Sequence, residues 1–337
     1  MKALLCSTPV EGANAELDRE RWEGPLGVVP QIAIISLINW MKLNGYTKDN
    51  YDFYDIYLLY PTDSEIKDYI KQYKPDVVGL SAVVSTSYSQ VKRISKIIKD
   101  INPNIWVVVG GYITASSDTI LRKCDVDLCF IGDGEIAWVK FLNYVEKYGY
   151  NFIYEELEKI KGVSYLNNNN LCLTGYGDKI PNDQIPFPDY DILAQGMKNK
   201  PDGVKYYFRE AKYSGWFHLD PRKNDKHRKP MVAGTNVSKG CVAKCTFCQR
   251  ASKGYRTQSL ENFKSHLIEL KDKWNVGFVQ ILDENFGSDK KHSREVAIIL
   301  KELDLLWIAT GVRCKSVNYD DLKFYKEHNC SALKFGV

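Results

Sequence analysis

The stretch Asp76-Val77-Val78-Gly79-Leu80-Ser81, with Trp106-Val107-Val108-Val109-Gly110-Gly111 further on, decides the fold of the first half of the chain. Each is a continuous apolar run, the pattern of a strand buried on both faces. Between them, Tyr88–Asp100 carries Val91, Ile94 and Ile98 at helical spacing, one face turned to a core. Apolar strand, amphipathic helix, apolar strand predicts a parallel sheet with helices packed on it.

The same rhythm runs outward in both directions. Ala3–Ser7 reads as a first strand, Ile32–Asn44 as a helix stopped by Gly45, and Tyr51–Leu58 as a second strand. Ser64–Gln72 reads as a helix with Ser64 as its cap, Asp127–Ile131 as a fifth strand, and Gly134–Tyr148 as a closing helix. The expected class is α/β, with a doubly wound parallel sheet over residues 1–150. Ligands of such sheets sit beyond the carboxyl ends of the strands. Three groups fall there: Ser81, followed by Ser85-Thr86-Ser87; Gly110-Gly111; and Gly132-Asp133-Gly134-Glu135. Any one of them alone reads as a tight turn with a cap. All three on one rim predict a binding edge that includes Ser81, Gly110, Gly111 and Glu135.

The 337 residues hold 46 basic and 42 acidic side chains, a balance that makes no electrostatic case for nucleic acid. No apolar run approaches the roughly 20 residues a membrane span needs. The longest, Val28 to Met41, is broken by Gln31 and Asn39. The nine cysteines are irregularly spaced and no secretion signal precedes them, so reduced thiols and a cytoplasmic location are expected.

Residues 151–231 read as a hairpin and connector. Gly162–Leu166 and Leu171–Thr174 flank the asparagine-rich turn Asn167–Asn170. Ile185-Pro186-Phe187-Pro188-Asp189-Tyr190-Asp191 is extended. Lys198–Lys229 is polar, with Tyr206, Tyr207, Phe208, Tyr213, Trp216 and Phe217 interleaved. It is readable as a substrate-side element, a lid or a single-strand nucleic-acid surface.

Next comes Lys239-Gly240-Cys241-Val242-Ala243-Lys244-Cys245-Thr246-Phe247-Cys248, a C-x3-C-x2-C spacing. Thiolates are soft ligands, and three in one loop suit zinc or an iron–sulfur cluster. A closed site wants four ligands; His218 and His227, upstream in a polar lysine-rich stretch, make poor fourth partners. A site with three ligands leaves one metal position open for chemistry. After the loop the strand–helix rhythm returns: Val232–Val237, Ser259–Lys273, Phe278–Leu282, Ser288–Leu303, Trp307–Thr310, Tyr319–His328 and Ala332–Val337. Four strands alternating with three helices predict the first half of a (β/α) barrel over 232–337, cut off before its second half. Barrel chemistry sits at the carboxyl ends of strands. There the second strand offers Asp283-Glu284-Asn285-Phe286, a carboxylate loop suited to a cationic amine, and the third offers Gly311-Val312-Arg313. Cys314 reads as a buried thiol rather than a ligand.

The motif Cys241, Cys245, Phe247, Cys248 resembles the cysteine loop of the radical S-adenosylmethionine (SAM) family. The resemblance implies that Cys241, Cys245 and Cys248 hold a [4Fe–4S] cluster, that SAM chelates the fourth iron, and that Phe247 lies near the adenine. It implies SAM contacts from Asp283, Glu284 and Asn285 to the amine and from Arg313 to the carboxylate. The first domain resembles the cobalamin-binding domain fused ahead of many such barrels. Ser81 with Val83 then takes the S-x-L position, and Gly110-Gly111 lies under the corrin. The cobalt-ligating D-x-H-x-x-G run is absent: the loop reads Ser7-Thr8-Pro9-Val10-Glu11-Gly12-Ala13, and no histidine precedes His218. The resemblance implies a 5′-deoxyadenosyl radical, C-methylation of an unactivated carbon in a small-molecule or peptide substrate, and an electron donor such as flavodoxin or ferredoxin. Cyclisation or rearrangement without cobalamin, methylthiolation, and a non-catalytic metal or cobalamin module are the alternatives.

Overall fold

The computed structural model describes residues 1–10, 29–198, 201–213, 217, 219–246, 248 and 254–336. The chain divides into two units. The first includes the N-terminal strand, Gln31–Ile180 and Asp189–Asp202; the second includes Pro181–Pro188 and Gly203–Val337.

In the first unit, strands β1 (Ala3–Ser7), β2 (Tyr51–Tyr54), β3 (Val77–Ser81), β4 (Trp106–Gly110) and β5 (Leu128–Phe130) are parallel. β6 (Val163–Asn167) and β7 (Asn170–Leu173) join antiparallel, giving the order β2-β1-β3-β4-β5-β6-β7. The helices are α1 (Ile32–Leu43), α2 (Asp63–Tyr73), α3 (Tyr88–Ile101), α4 (Ser117–Lys123) and α5 (Glu135–Tyr148). Alternate strand residues feed two cores. Leu4, Cys6, Val78, Leu80, Val107 and Val109 pack with Ile66, Ile70, Val91, Ile94, Ile98 and Ile120 from α2, α3 and α4. On the opposite face a Cβ on Gly79 would meet Leu5 at 3.0 Å and Trp138 at 3.2 Å, so glycine there makes room for the Trp138 indole. Trp138 in turn reaches Met41 on α1. Helices on both faces make the sheet doubly wound. Between β1 and β3 the strand order reverses, the point where such sheets open a crevice.

Several elements differ from the sequence reading. The second strand stops at Tyr54 because the Asp55 side chain caps a short helix, Ile56–Leu59, and accepts the Ser7 hydroxyl at 2.5 Å. The cap of α2 is Thr62, in a capping box with Glu65, rather than Ser64; removing such a cap costs about 1 kcal/mol. Helix α4, preceded by the turn Tyr112–Ser116, was not anticipated. The hairpin extends the first sheet instead of standing apart, turning through Asn168 and Asn169 at φ 47° and 65°. After the prolines, Asp189 caps α6 (Tyr190–Gly196) in the same unit.

In the second unit β9 (Met231–Thr235), β12 (Val276–Ile281), β13 (Leu306–Arg313) and β14 (Cys330–Gly336) are parallel neighbours in chain order. Helices α7 (Leu260–Lys273), α8 (Lys290–Glu302) and α9 (Tyr319–Glu327) make the crossovers, the succession that opens a (β/α) barrel. Two-residue β8 (Arg209–Glu210), within the polar stretch after Lys198, pairs antiparallel with β9. β10 (Ser238–Cys241) and β11 (Gly254–Thr257) form a separate antiparallel ribbon around the cysteine loop. Phe217, Val232, Phe278, Leu306 and Ile308 form a core of this unit.

The segment Pro181–Pro188 is fastened by aromatic packing. Phe187 stacks on His266 of α7 at 5.0 Å, and the imidazole is 7% exposed. Burial pushes the His266 pKa down to about 3. The unfolded chain binds that proton near pH 6.5, so between pH 6.5 and 3 it holds more protons than the native state, and stability falls as pH falls. Urea melts at pH 7 and pH 5 should differ by about 2 kcal/mol from this group alone. In His266→Phe the difference should shrink by that amount; an equal difference in both proteins would remove His266 from the account.

Candidate functional site

At the carboxyl edge of the first sheet, Ser7, Ser81 and Gly110 lie side by side in register. The two glycines differ in kind. Gly111 sits at φ 97° and ψ −177°, and a Cβ there would fall 2.3 Å from the Ala82 carbonyl oxygen. The backbone demands glycine at that position. A Cβ on Gly110 would meet nothing within 4 Å. No packing among the described residues explains the missing side chain. Beside it Val83 and Val84 expose 50% and 43% of their surface, two apolar side chains turned outward on the rim. Thr8, 6% exposed, donates its N–H to the Ser81 carbonyl, while its buried hydroxyl has no hydrogen-bond partner among the described residues. Among the described residues this edge exposes apolar side chains and leaves Gly110 uncovered. Glu135 stands apart from it: the carboxylate is 2% exposed and accepts the Ser36 hydroxyl of α1 at 2.5 Å. That contact is internal to the unit rather than on the open rim.

In the second unit the carboxyl ends of β9, β12 and β13 carry the other candidates. Asp283, just beyond β12, is 3% exposed. Its Oδ1 accepts from the Val237 N–H at 2.8 Å and the Ser238 N–H at 3.2 Å, and its Oδ2 accepts from the Ser238 hydroxyl. Burial pushes its carboxyl up to about 6, against the opposing pull of those donors. Expected to face an amine, Asp283 instead clasps the root of β10, both oxygens engaged within the protein. Gly311, at φ 68°, lets the Asp283 carbonyl approach to 2.2 Å from where its Cβ would be. Asn285 is fully buried and donates Nδ2 to the Cys241 sulfur at 3.2 Å; Ala243 N–H donates to the same sulfur at 3.3 Å. Phe286, 1% exposed, locks the loop against Trp307 and Tyr325 at 5.6 and 5.8 Å. Glu284 is exposed, and Arg313, the last residue of β13, is half-buried. Cys314 is exposed, correcting the expectation of a buried thiol: it follows the strand in a short turn.

Cys241 ends β10 half-buried, while Cys245 and Cys248 are exposed on the loop beyond. Among the described residues no three His, Cys, Asp or Glu side chains are gathered closely enough to hold a metal ion. Phe247 lies outside the described residues. The donor chemistry nonetheless fits a cluster. Three thiols of one loop form no disulfide, and N–H groups already point at the sulfur of the one nearest the sheet. Sequence reasoning missed Ser238, Val237 and Thr8. The first two meet Asp283 across 45 and 46 residues, and nothing local marks that pairing.

Residues 27–142 match the B12 binding domain family. The first unit therefore carries a B12-binding domain. The longer matches agree with the B12-binding subclass of radical SAM proteins. The chain is 28% identical over 284 residues to an uncharacterised methyltransferase of Pyrococcus horikoshii, covering 82% of this chain and 54% of that one. It is 24% identical over 266 residues to cytidylyl-2-hydroxyethylphosphonate methyltransferase of Streptomyces wedmorensis, covering 73% and 46%. It is 23% identical over 285 residues to the anaerobic magnesium-protoporphyrin IX monomethyl ester cyclase of Rubrivivax gelatinosus, covering 82% and 46%. The chain spans about half the length of these curated relatives. Within the B12-binding domain, Ser81, Gly110 and Gly111 all fall inside the matched residues. No helix among the described residues is long and apolar enough to cross a membrane.

Proposed function

We propose that this chain belongs to a cobalamin-dependent radical SAM enzyme that methylates an unactivated carbon. The observation carrying this reading is a C-x3-C-x2-C loop at the carboxyl end of a half-barrel sheet, in a chain that also carries a B12-binding domain. Cys241, Cys245 and Cys248 would hold a [4Fe–4S] cluster, which supplies one electron for cleavage of SAM, while the corrin supplies a methyl group. The chain's own residues do the positioning. Asp283 ties β10 to β12 and fixes where the cysteine loop starts. Arg313 is a half-buried cation on the same edge, suited to a carboxylate. Gly110 leaves the rim of the first sheet open, and Val83 and Val84 give it an apolar lining. A small-molecule or peptide substrate, flavodoxin or ferredoxin as donor, and a cytoplasmic location complete the proposal. The two methyltransferases among the relatives favour methylation; the cyclase favours ring closure as a second reading.

Anaerobic reconstitution with iron, sulfide and hydroxocobalamin, followed by reduction with dithionite, optical spectra and a SAM-cleavage assay, tests it. Cluster absorbance with a cob(II)alamin band and 5′-deoxyadenosine is the expected result. Cluster and 5′-deoxyadenosine without bound corrin would shift the reading to cyclisation or rearrangement. Zinc in place of iron, with intact SAM, would end the enzymatic reading.

A further inference from the structure

We infer that Asn285 tunes the cluster, by donating its side-chain N–H to the sulfur of Cys241; this rests on the radical SAM reading above. The Nδ2 to Sγ distance is 3.2 Å and Asn285 is fully buried, so the bond is made away from water. Against a thiolate that ligates iron, turning the amide over would set oxygen against sulfur, lone pair against lone pair, so donation to sulfur is the orientation a bound cluster requires. Its Oδ1 is then left buried with no hydrogen-bond partner among the described residues. An amide kept here at the cost of an unpaired oxygen needs a reason, and the sulfur contact is one.

The contact is built in rather than incidental. One residue back in the loop, Glu284 turns to solvent; one residue on, Phe286 is wedged against Trp307 and Tyr325. Two residues back, Asp283 grips Val237 and Ser238 at the base of the strand that ends in Cys241. One loop thus holds the cysteine strand at its root through Asp283 and at its tip through Asn285. An N–H donated to a cluster-ligating thiolate disperses negative charge and favours the reduced, more negative state. Asn285 is therefore a positioning residue whose effect appears in the reduction potential.

The test uses the full chain with Asn285→Asp and Asn285→Leu, each reconstituted with iron and sulfide alone. Midpoints are read by EPR-monitored redox titration, with iron and sulfide counted in parallel. Both variants should keep a full cluster and be harder to reduce. At the wild-type midpoint the ratio of reduced to oxidised cluster should fall about tenfold, 59 mV for a one-electron couple. The Asp variant should move further, because it also adds negative charge. An unmoved midpoint in a folded, fully loaded variant overturns the inference. So does a folded Asp variant that holds no cluster, since a near-isosteric change would then expose a packing role. Should the Leu variant misfold, the Asp variant decides alone. Wild-type protein that takes zinc or no metal would overturn this inference and the radical SAM reading together, whereas a wild-type cluster with unmoved variant midpoints overturns this inference only.

Discussion

Cys245→Ala is expected to abolish cluster absorbance and to cut 5′-deoxyadenosine formation more than about 100-fold, beyond the 10–100-fold loss typical of groups that merely support a metal ligand. The loop supplies three thiolates, and a cluster left with two protein ligands loses an iron to solvent. The fold should not share the loss. Cys245 is exposed and lies outside the core of its unit. Surface changes of this kind usually stay within about 0.5 kcal/mol. Cys314→Ala is the matched control, an exposed thiol in the same unit outside the C-x3-C-x2-C spacing, and should retain both signals. Full 5′-deoxyadenosine formation by the Cys245 variant would sink the assignment of the loop.

The second large effect separates two adjacent glycines. Gly111→Ala forces a side chain onto a φ of 97° and drives its Cβ to 2.3 Å from the Ala82 carbonyl oxygen. Backbone strain of about 1–3 kcal/mol and overpacking of about 1–3 kcal/mol add to a loss on the order of 4 kcal/mol. At about 2–4 °C per kcal/mol the first unit should melt roughly 10 °C lower. Gly110→Ala meets no neighbour among the described residues and should leave the melting temperature nearly unchanged. If the corrin lies over this rim, the same methyl group should weaken cobalamin binding about tenfold or more, read by titration of the optical spectrum. A Gly110→Ala protein that binds cobalamin like wild type would move the corrin elsewhere.

The alternation of strands and helices was legible because the buried strands are continuous apolar runs, as in Val77–Ser81 and Trp106–Gly110. Boundaries failed where one polar side chain intervened. Tyr51–Leu58 looks like one strand, yet Asp55 breaks it by capping the next turn and binding Ser7. The rim glycines were legible as a pair, but their opposite reasons were not, since only coordinates tell a clash from open space. The cysteine loop was visible from spacing alone. The part played by Asp283 was not: its partners lie 45 and 46 residues away, and a carboxylate at a strand end reads the same whether it faces a ligand or a backbone. Glu135 was hidden likewise, its Ser36 partner 99 residues off.

The cysteines sit on a two-stranded ribbon apart from the five-stranded sheet, and that sheet is cored by Phe217, Val232, Phe278, Leu306 and Ile308. On the radical SAM reading, the cluster would therefore be added to a scaffold whose core does not include its ligands. Unlike a zinc finger, which is unfolded without its metal, this unit should keep its shape under a chelator. If the loop does hold a cluster, protein starved of iron would stay folded and could be loaded afterwards rather than made anew.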